Sequence, residues 1–188
     1  GISMPPGAME DLRANYAAVY LGAFGDPRVP DMKHAADILL GMRFQLDLYV
    51  NYRPVKLLDE RLCPLKDKSL ADVDFVIFRE NTEGLYVGMG GNFKKGTADE
   101  VAIQEMIFTR KGTERVIRYA FDLARKRAKQ NKLLMIDKAN AIRAMDLWSR
   151  TFEEVGAEYP DIERDHAYID AACMWMVKNP EWFDVSVV

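Results

Sequence analysis

The sequence has few of the residues that build disulfide frameworks or sulfur and imidazole metal sites. Among its 188 residues, only Cys63 and Cys173 are cysteines, and only His34 and His166 are histidines. Two cysteines are too few for a disulfide framework, so we expect reduced thiols in a cytoplasmic protein. No grouping of Cys and His has the spacing of a zinc site. These shortages argue against a disulfide-stapled secreted module and against a zinc domain.

Long apolar runs and an excess of positive charge are also missing. Every apolar run is far shorter than the roughly 20 residues of a membrane-spanning helix, and the first residues lack a basic segment followed by an apolar one. The formal net charge of -3 gives no general attraction to nucleic acid. The basic residues at 125–129 follow a helical apolar pattern, so we interpret them as a solvated helix end. We expect neither a membrane nor a nucleic-acid partner.

Apolar segments typical of buried strands alternate with longer segments in which apolar residues have helical spacing. This alternation predicts the α/β class, a sheet covered by helices. Pro54 indicates an edge strand or a bend, and Thr113 has the side chain of a helix N-cap. We predict strands or extended segments at 17–24, 46–58, 72–78, 133–136 and 182–188, helices at about 32–45, 114–129, 142–155 and 166–178, and a protruding glycine-rich ribbon at about 87–110.

Three arginines, Arg43, Arg53 and Arg79, lie within or near the ends of these predicted elements. A guanidinium group matches a carboxylate in bidentate geometry, so converging arginines would bind a substrate with two or three carboxylates. Spacing along the chain does not establish convergence. Taken singly, each arginine also fits a surface position or an ordinary ion pair.

Two further positions could carry chemistry. Lys138 follows a predicted buried strand, where an α/β sheet often exposes functional groups, and nearby arginines would make it a candidate proton carrier. A solvated lysine in a turn is the alternative. Asp170 lies beside apolar residues in a predicted helix, where burying an unpaired carboxylate would be costly. A divalent cation such as Mg²⁺ or Mn²⁺ would offset that cost, and a salt bridge within the helix or a capping contact is the alternative.

Several segments together resemble one family, the metal-dependent β-decarboxylating dehydrogenases that act on isopropylmalate, isocitrate, homoisocitrate or tartrate. The resemblance covers nearly all of residues 17–188, and the segments occur in the family's order. The blocks RENTEGLY and DKAN are highly specific when taken together. The segments are GAFGDPRVPD, LLGMRFQLDLYVNYRPVK, VIFRENTEGLYVG, IDKANAIR, FEEVGAEYPDIERDHAYIDAA and NPEWFDVSVV.

The resemblance implies a role for each candidate residue. Arg43, Arg53 and Arg79 match arginines that bind the carboxylates of a hydroxy-dicarboxylic or tricarboxylic acid. Tyr86 matches the tyrosine that protonates the enolate left by decarboxylation, and the NTEG turn sets it beside Arg79. The other matches are Lys138 to the lysine that assists proton removal from the substrate hydroxyl, Asn140 to a residue near the nicotinamide, and Asp170 to a carboxylate of the divalent-metal site. The implied cofactors are NAD or NADP with Mg²⁺ or Mn²⁺.

The resemblance also implies an architecture. Residues 1–48 match part of the larger, dinucleotide-binding domain, and residues 49–188 match the smaller substrate-binding and dimerisation domain, so we expect a fragment of a homodimeric enzyme. Two further metal aspartates and the cofactor loop lie beyond the matched segments in the family, and we expect the isolated chain to be inactive. Leu39 and Leu40 precede Arg43 by one helical turn, which favours an alkyl malate such as 3-isopropylmalate. Isocitrate, homoisocitrate, tartrate and a non-catalytic dimerisation module stay open.

Overall fold

The computed structural model describes residues 3–188, and the chain divides into two compact units, one ending at Tyr49 and the other spanning Val50–Val188. The first unit contains helix α1, Ala8–Asn15, and helix α2, Lys33–Gln45. The second helix agrees with the predicted helix at 32–45. The strand predicted at 17–24 is wrong, because these residues form no strand in the structure. An apolar, β-prone segment becomes a strand only beside a hydrogen-bonding neighbour.

The second unit is built on a five-stranded sheet with the order β1-β2-β7-β5-β6. Strand β1 is antiparallel to β2, and the β2–β7, β7–β5 and β5–β6 pairs are parallel. The mixed sheet with helices confirms the predicted α/β class. The sheet strands are β1 Val50–Lys56, β2 Asp74–Glu80, β5 Lys132–Asp137, β6 Glu163–Tyr168 and β7 Val185–Val187, and the helices are α3 Arg110–Arg127, α4 Asp146–Gly156 and α5 Ile169–Lys178.

The two faces of the sheet bury different helices. On one face, Phe78 of β2 contacts Tyr119 of α3 with ring centroids 5.4 Å apart, and Phe121 of α3 stacks on Phe152 of α4. On the other face, α5 packs on the strand residues that lie between those of the first face, because successive strand side chains point to opposite faces. This second core contains Val73, Phe75, Leu134, Ile136, Ala167, Ala172 and Phe183, with Ile77, Trp175, Met176 and Val188 packed against it.

A separate two-stranded ribbon extends from the sequence between β2 and α3. Its strands are β3, Gly90–Phe93, and β4, Val101–Gln104, which pair in antiparallel register. All eight residues of the two strands are exposed in this chain. The remaining short elements are single 3₁₀ turns at Glu60–Leu62, Leu85–Val87, Arg143–Met145 and Pro180–Trp182.

Two sequence predictions about helix starts are wrong. Helix α3 begins at Arg110, and its N-cap is Thr109, whose hydroxyl accepts a hydrogen bond from the Gly112 backbone N–H at 3.0 Å. Thr113, the predicted cap, is instead fully buried within the first helical turns. The predicted helix at 166–178 begins only at Ile169, because the preceding residues pair with β5 as strand β6. The edge position expected for Pro54 is confirmed, since β1 lies at the border of the sheet.

Candidate functional site

The antiparallel pair of β1 and β2 brings several polar side chains to one edge of the sheet, on the face that α5 covers in part. Asn51 of β1 pairs with Arg79 of β2, and Arg53 pairs with Ile77. Residues at the same level of neighbouring strands point to the same face, so these polar side chains share the face of the core residue Ile77. Helix α5 packs over the β5 half of this face. The β1–β2 half therefore presents two arginines and an asparagine at the carboxyl edge.

A chain of hydrogen bonds connects the two arginines through two amides. Arg53 Nε donates to Asn51 Oδ1 at 2.8 Å, and Asn51 Nδ2 donates to Asn81 Oδ1 at 3.2 Å. Arg79 Nη2 donates to the same Asn81 oxygen at 3.0 Å. Within residues 3–188, no carboxylate forms an ion pair with Arg53 or Arg79. Both guanidinium groups thus keep their positive charge uncompensated by an acid.

Tyr86 joins this group. The Arg79 guanidinium carbon lies 5.3 Å from the centroid of the Tyr86 ring, within the range of a cation–π contact. Tyr86 sits in the 3₁₀ turn Leu85–Val87, and 46% of its surface is exposed. The six residues between Arg79 and Tyr86 thus fold back so that the guanidinium cation and the phenol lie next to each other.

A buried carboxylate organises that turn. Glu80 accepts hydrogen bonds from the backbone N–H groups of Thr82 and Glu83, at 2.8 and 2.6 Å, and from the Thr82 hydroxyl at 2.6 Å. The Arg115 guanidinium donates to the same hydroxyl at 2.9 Å. Gly84 then takes a φ of 74°, a left-handed value that glycine adopts without steric cost. The residues at 80–84 therefore determine the conformation of the turn.

A second carboxylate attaches the turn to helix α3. Glu83 accepts from the Thr109 backbone N–H at 2.7 Å and from its hydroxyl at 2.6 Å. The carboxylate thus sits at the N-terminus of α3, where the helix dipole favours negative charge. Gly112 is required beside it, since a Cβ atom at that position would overlap the Glu83 carboxylate. The NTEG turn that sets Tyr86 beside Arg79 was expected from the resemblance and includes Glu83, whereas the part played by Glu80 was not predicted.

Lys138 and Asp170 form a second group at the ends of β5 and β6. The Lys138 ammonium group donates to the Asp170 carboxylate, and this hydrogen bond lowers the pKa of Asp170. The sequence prediction of a costly buried carboxylate is wrong, because the Asp170 side chain is 67% exposed at the start of α5. The pair borders a cleft of about 460 Å³. Its lining consists of Ile136, Asp137, Lys138, Ile142, Met145, Ile169, Asp170, Cys173 and Val188.

The turn that carries Lys138 is supported by its neighbour. The buried Asp137 carboxylate accepts from the Ala139 backbone N–H at 3.0 Å, from His166 Nε2 at 3.0 Å and from the Ser149 hydroxyl at 3.3 Å. Asn140 follows in the same turn with an exposed side chain. The order Asp-Lys-Ala-Asn thus places one buried anchor and two accessible polar groups after the strand.

The remaining candidates belong to the first unit. Leu39, Leu40 and Arg43 lie on α2, with Arg43 in its last turn. The spacings of four and three residues put both leucines on the same helical face as the arginine. Leu39 is exposed, and Leu40 and Arg43 are half-buried.

The structure thus brings the candidates of the second unit into two groups along one edge. Arg53, Arg79 and Tyr86 form the first group, and Lys138 with Asp170 forms the second. Strand β7 lies between β2 and β5, so the backbones that carry the two groups are about 10 Å apart. Asn51 and Asn81 were missed from the sequence, although each stands two residues from an arginine, which is the spacing of neighbours on one strand face.

The described residues offer one candidate ligand for a divalent cation. Asp170 is an exposed oxygen ligand of the type that Mg²⁺ and Mn²⁺ prefer, and no group of three or more His, Cys, Asp or Glu residues suited to a metal occurs in residues 3–188. The donor chemistry fits one ligand of such a site. Over the same residues, no helix is long and apolar enough to cross a membrane.

Similarity to known proteins extends along the whole chain. The family model described as isocitrate/isopropylmalate dehydrogenase matches residues 1–188. The chain belongs to the isocitrate/isopropylmalate dehydrogenase family. Membership confirms the resemblance seen in the RENTEGLY and DKAN segments, and this family is one of decarboxylating dehydrogenases that act on small carboxylic acids.

Individual members of this family are similar over nearly all of the chain. A 3-isopropylmalate dehydrogenase of Thermobifida fusca is 45% identical over 183 residues, which are 97% of this chain and 51% of the relative. One of Rhodococcus erythropolis is 45% identical over 190 residues, covering 100% of this chain and 55% of the relative. The crystal structure of isocitrate dehydrogenase from Methylococcus capsulatus aligns with a TM-score of 0.75 and 34% identity, covering 98% of this chain and 52% of that one. The chain spans about half the length of the relatives it matches.

Proposed function

We propose that this chain is part of an NAD(P)-dependent dehydrogenase that oxidatively decarboxylates 3-isopropylmalate in the cytoplasm. The observation that carries the proposal is the pairing of Arg53 and Arg79 with amides at one sheet edge, next to Tyr86. Two guanidinium groups without acidic partners form a site for a dicarboxylate. The family and the 45% identity to 3-isopropylmalate dehydrogenases support the choice of substrate.

Each side chain has a task that its position permits. Arg53 and Arg79 hold the substrate carboxylates, and the family match gives Arg43 the same task. Tyr86 delivers a proton to the carbon that has lost CO₂, and its ring lies 5.3 Å from the Arg79 guanidinium carbon, beside the carboxylate site. Lys138 assists removal of the hydroxyl proton. The arginines therefore bind the substrate, and Tyr86 and Lys138 carry out the proton transfers.

The groups supplied from solution complete the chemistry. Asp170 would hold a Mg²⁺ or Mn²⁺ ion together with ligands from outside the described residues, and Asn140 would lie near the nicotinamide. A bound divalent cation supplies Lewis-acid stabilisation of the oxygen on which negative charge develops, and NAD or NADP accepts the hydride. The exposed Lys138–Asp170 pair leaves the carboxylate accessible to an ion.

The proposal includes an arrangement of domains and subunits. Residues 1–48 would be part of a larger, dinucleotide-binding domain, and residues 49–188 the smaller domain through which two subunits associate. The exposed ribbon strands β3 and β4, which present Phe93, Val101 and Ile103 to solvent, would pair with a second copy. A dimerisation module without catalytic activity is the alternative.

The test is turnover of the full-length protein and of this chain, measured as NAD or NADP reduction with 3-isopropylmalate, isocitrate or tartrate in the presence of Mn²⁺. We expect the full-length protein to prefer 3-isopropylmalate and this chain to be a dimer without turnover. Preference for isocitrate or tartrate would overturn the substrate, and a monomer at micromolar concentration in light scattering would overturn the dimer.

A matched pair of variants of the full-length protein tests the role of Tyr86. Tyr86→Phe removes the hydroxyl and keeps the ring against Arg79, so hydride transfer should persist while protonation after decarboxylation slows. Tyr119→Phe, a change of another half-exposed tyrosine on α3, should leave both steps unchanged. Equal loss of both steps in Tyr86→Phe would contradict the assigned role.

A further inference from the structure

We infer that Asn51 and Asn81 are positioning residues that set the separation of Arg53 and Arg79 and keep their charge available to the substrate carboxylates. The inference deepens the proposed function and rests on it, because it concerns the same carboxylate site. It assigns to the two amides a part in substrate selection that the arginines alone do not explain.

The geometry makes the two amides a neutral bridge. Asn81 Oδ1 accepts from Asn51 Nδ2 at 3.2 Å and from Arg79 Nη2 at 3.0 Å, so one oxygen fixes one arginine and the second amide together. Asn51 then uses its own oxygen to hold Arg53 Nε at 2.8 Å. The bridge spans two paired strands, because Asn51 and Arg79 are partners in the β1–β2 register. The backbone of a rigid sheet thus sets the separation of the guanidinium groups.

The choice of amide rather than carboxylate has a chemical consequence. A guanidinium group carries five N–H donors and no acceptor, and Arg53 gives one of them to the bridge. An amide oxygen orients that group without cancelling its charge, whereas a carboxylate at the same place would form an ion pair with it. Asn81 is buried, so a negative charge there would be weakly screened by solvent. The bridge therefore holds the arginines in place and leaves their attraction for an external dianion intact.

The discriminating change is Asn81→Asp, which keeps the shape of the side chain and turns the bridge into an internal competitor for the arginines. Asn81→Ala removes the bridge and adds no charge. The probe is 3-isopropylmalate, titrated into the 188-residue chain with binding followed by calorimetry and by NMR of the arginine side-chain N–H groups. Asn51→Asp and Asn51→Ala are the second matched pair, and Arg79→Gln reports the loss of the site itself.

We expect the Asp variant at position 81 to bind the probe about 10- to 100-fold more weakly than the unmodified chain, because a unit charge a few ångströms from the dianion repels it. The Ala variant should bind about three- to tenfold more weakly than the unmodified chain, because it loses the bridge that positions the guanidinium groups but leaves their positive charge in place. A purely structural role predicts the reverse order, with the isosteric Asp tolerated better than Ala. Position 51 should show the same order with a smaller separation, because Asn51 is less buried.

The outcomes separate the inference from the function on which it rests. A loss of binding in Asn81→Asp that exceeds a smaller loss in Asn81→Ala supports the inference, and an Asn81→Ala variant that binds like the unmodified chain overturns the positioning role. If Arg79→Gln abolishes binding and the two Asn81 variants bind alike, the inference is wrong and the carboxylate site stands. If the unmodified chain shows no arginine N–H shift with the probe, or Arg79→Gln binds normally, the carboxylate site itself is overturned for this chain. Urea unfolding of each variant identifies any that fails to fold, and the Asn51 pair then decides.

Discussion

The two edges of the central sheet use the same residue type in opposite ways. At the amino edge, Arg127 donates to the buried Asp184 carboxylate at 2.6 Å and to Asp74 at 2.8 Å. At the carboxyl edge, Arg53 and Arg79 donate to amides. The first arrangement neutralises an arginine between two acids, and the second retains two uncompensated positive charges. An arginine paired with acids joins elements together, whereas an arginine held by amides stays available for a ligand.

The difference has an energetic basis. A guanidinium group already bonded to two carboxylates has little further attraction for an anion, and its removal would leave buried negative charge without a partner. A guanidinium group oriented by a neutral oxygen leaves no such charge behind when it is removed. We therefore expect the amino edge to control folding stability and the carboxyl edge to control binding.

The largest effect on stability should come from Arg127→Met. This change leaves the Asp184 side chain, which has no exposed surface, without its cationic partner, and we expect a loss of about 3 kcal/mol in the free energy of unfolding. Urea denaturation followed by circular dichroism measures it. Lys126→Met, at a neighbouring exposed position, is the control and should change the unfolding midpoint little. Equal midpoints for the two variants would show that the amino edge is not a stabilising network.

The next largest effect should come from Gly112→Ala. This change tests whether the position of Tyr86 at the carboxyl edge depends on the turn that Glu83 attaches to α3. Gly112→Ala places a Cβ atom on the Glu83 carboxylate, so the turn must move away from α3. We expect a loss of about 1–3 kcal/mol from overpacking, together with a shift of the Tyr86 ring resonances in NMR spectra. Gly22→Ala, where a Cβ meets open space, is the matched control. Unchanged Tyr86 resonances in Gly112→Ala would show that the position of Tyr86 does not depend on the Glu83 anchor.

A smaller effect concerns pH at the amino edge. The hydrogen bond from Arg127 lowers the pKa of Asp74 below its ordinary value of 3.8. A carboxyl group whose pKa is lower in the folded state stabilises the protein above its unfolded pKa, and this contribution is lost as pH falls through the folded pKa. Asp74→Asn should therefore cost about 1 kcal/mol near neutral pH and progressively less below pH 4. A pH-independent difference between the two unfolding curves would contradict this account.

The smallest stability effect should come from Arg79→Gln. No carboxylate among the described residues is left unpaired by this change, so we expect the free energy of unfolding to change by less than about 1 kcal/mol. Affinity for 3-isopropylmalate should fall sharply in the same variant. Comparison of its urea midpoint with that of Arg127→Met tests the contrast between the edges directly, and a similar loss in both variants would abolish that contrast.

Much of the fold could be predicted from local sequence. The segment DFVIF predicts β2 because β-branched and aromatic residues favour a buried strand, and the apolar spacing at Val116, Ile117, Ala120 and Phe121 predicts the inward face of α3. Residues 17–24 have the same strand-like composition and form no strand. The composition of a segment does not report whether a partner strand lies beside it.

The candidate site was less accessible to prediction. Arg53, Arg79 and Tyr86 were identified from resemblance, and their assigned roles stay predictions. Asn51 and Asn81 were missed because their bridge depends on the register of β1 and β2, which spacing along one strand does not fix. The exposure of Asp170 was missed for a related reason. Helix α5 begins at Ile169, so Asp170 lies in the first helical turn near solvent rather than on the packed face.

The position of β7 has a consequence for how the protein folds during synthesis. Residues 185–187 lie between β2 and β5 and are the only hydrogen-bonded link between the β1–β2 pair and the β5–β6 pair in the described sheet. The ribosome makes β2 about 100 residues before β7, and contacts of such large sequence separation form late and slowly. We therefore expect Arg53 and Arg79 to reach their final position relative to Lys138 only after β7 has inserted between β2 and β5. Until then, a nascent chain contains both groups of side chains without their native arrangement.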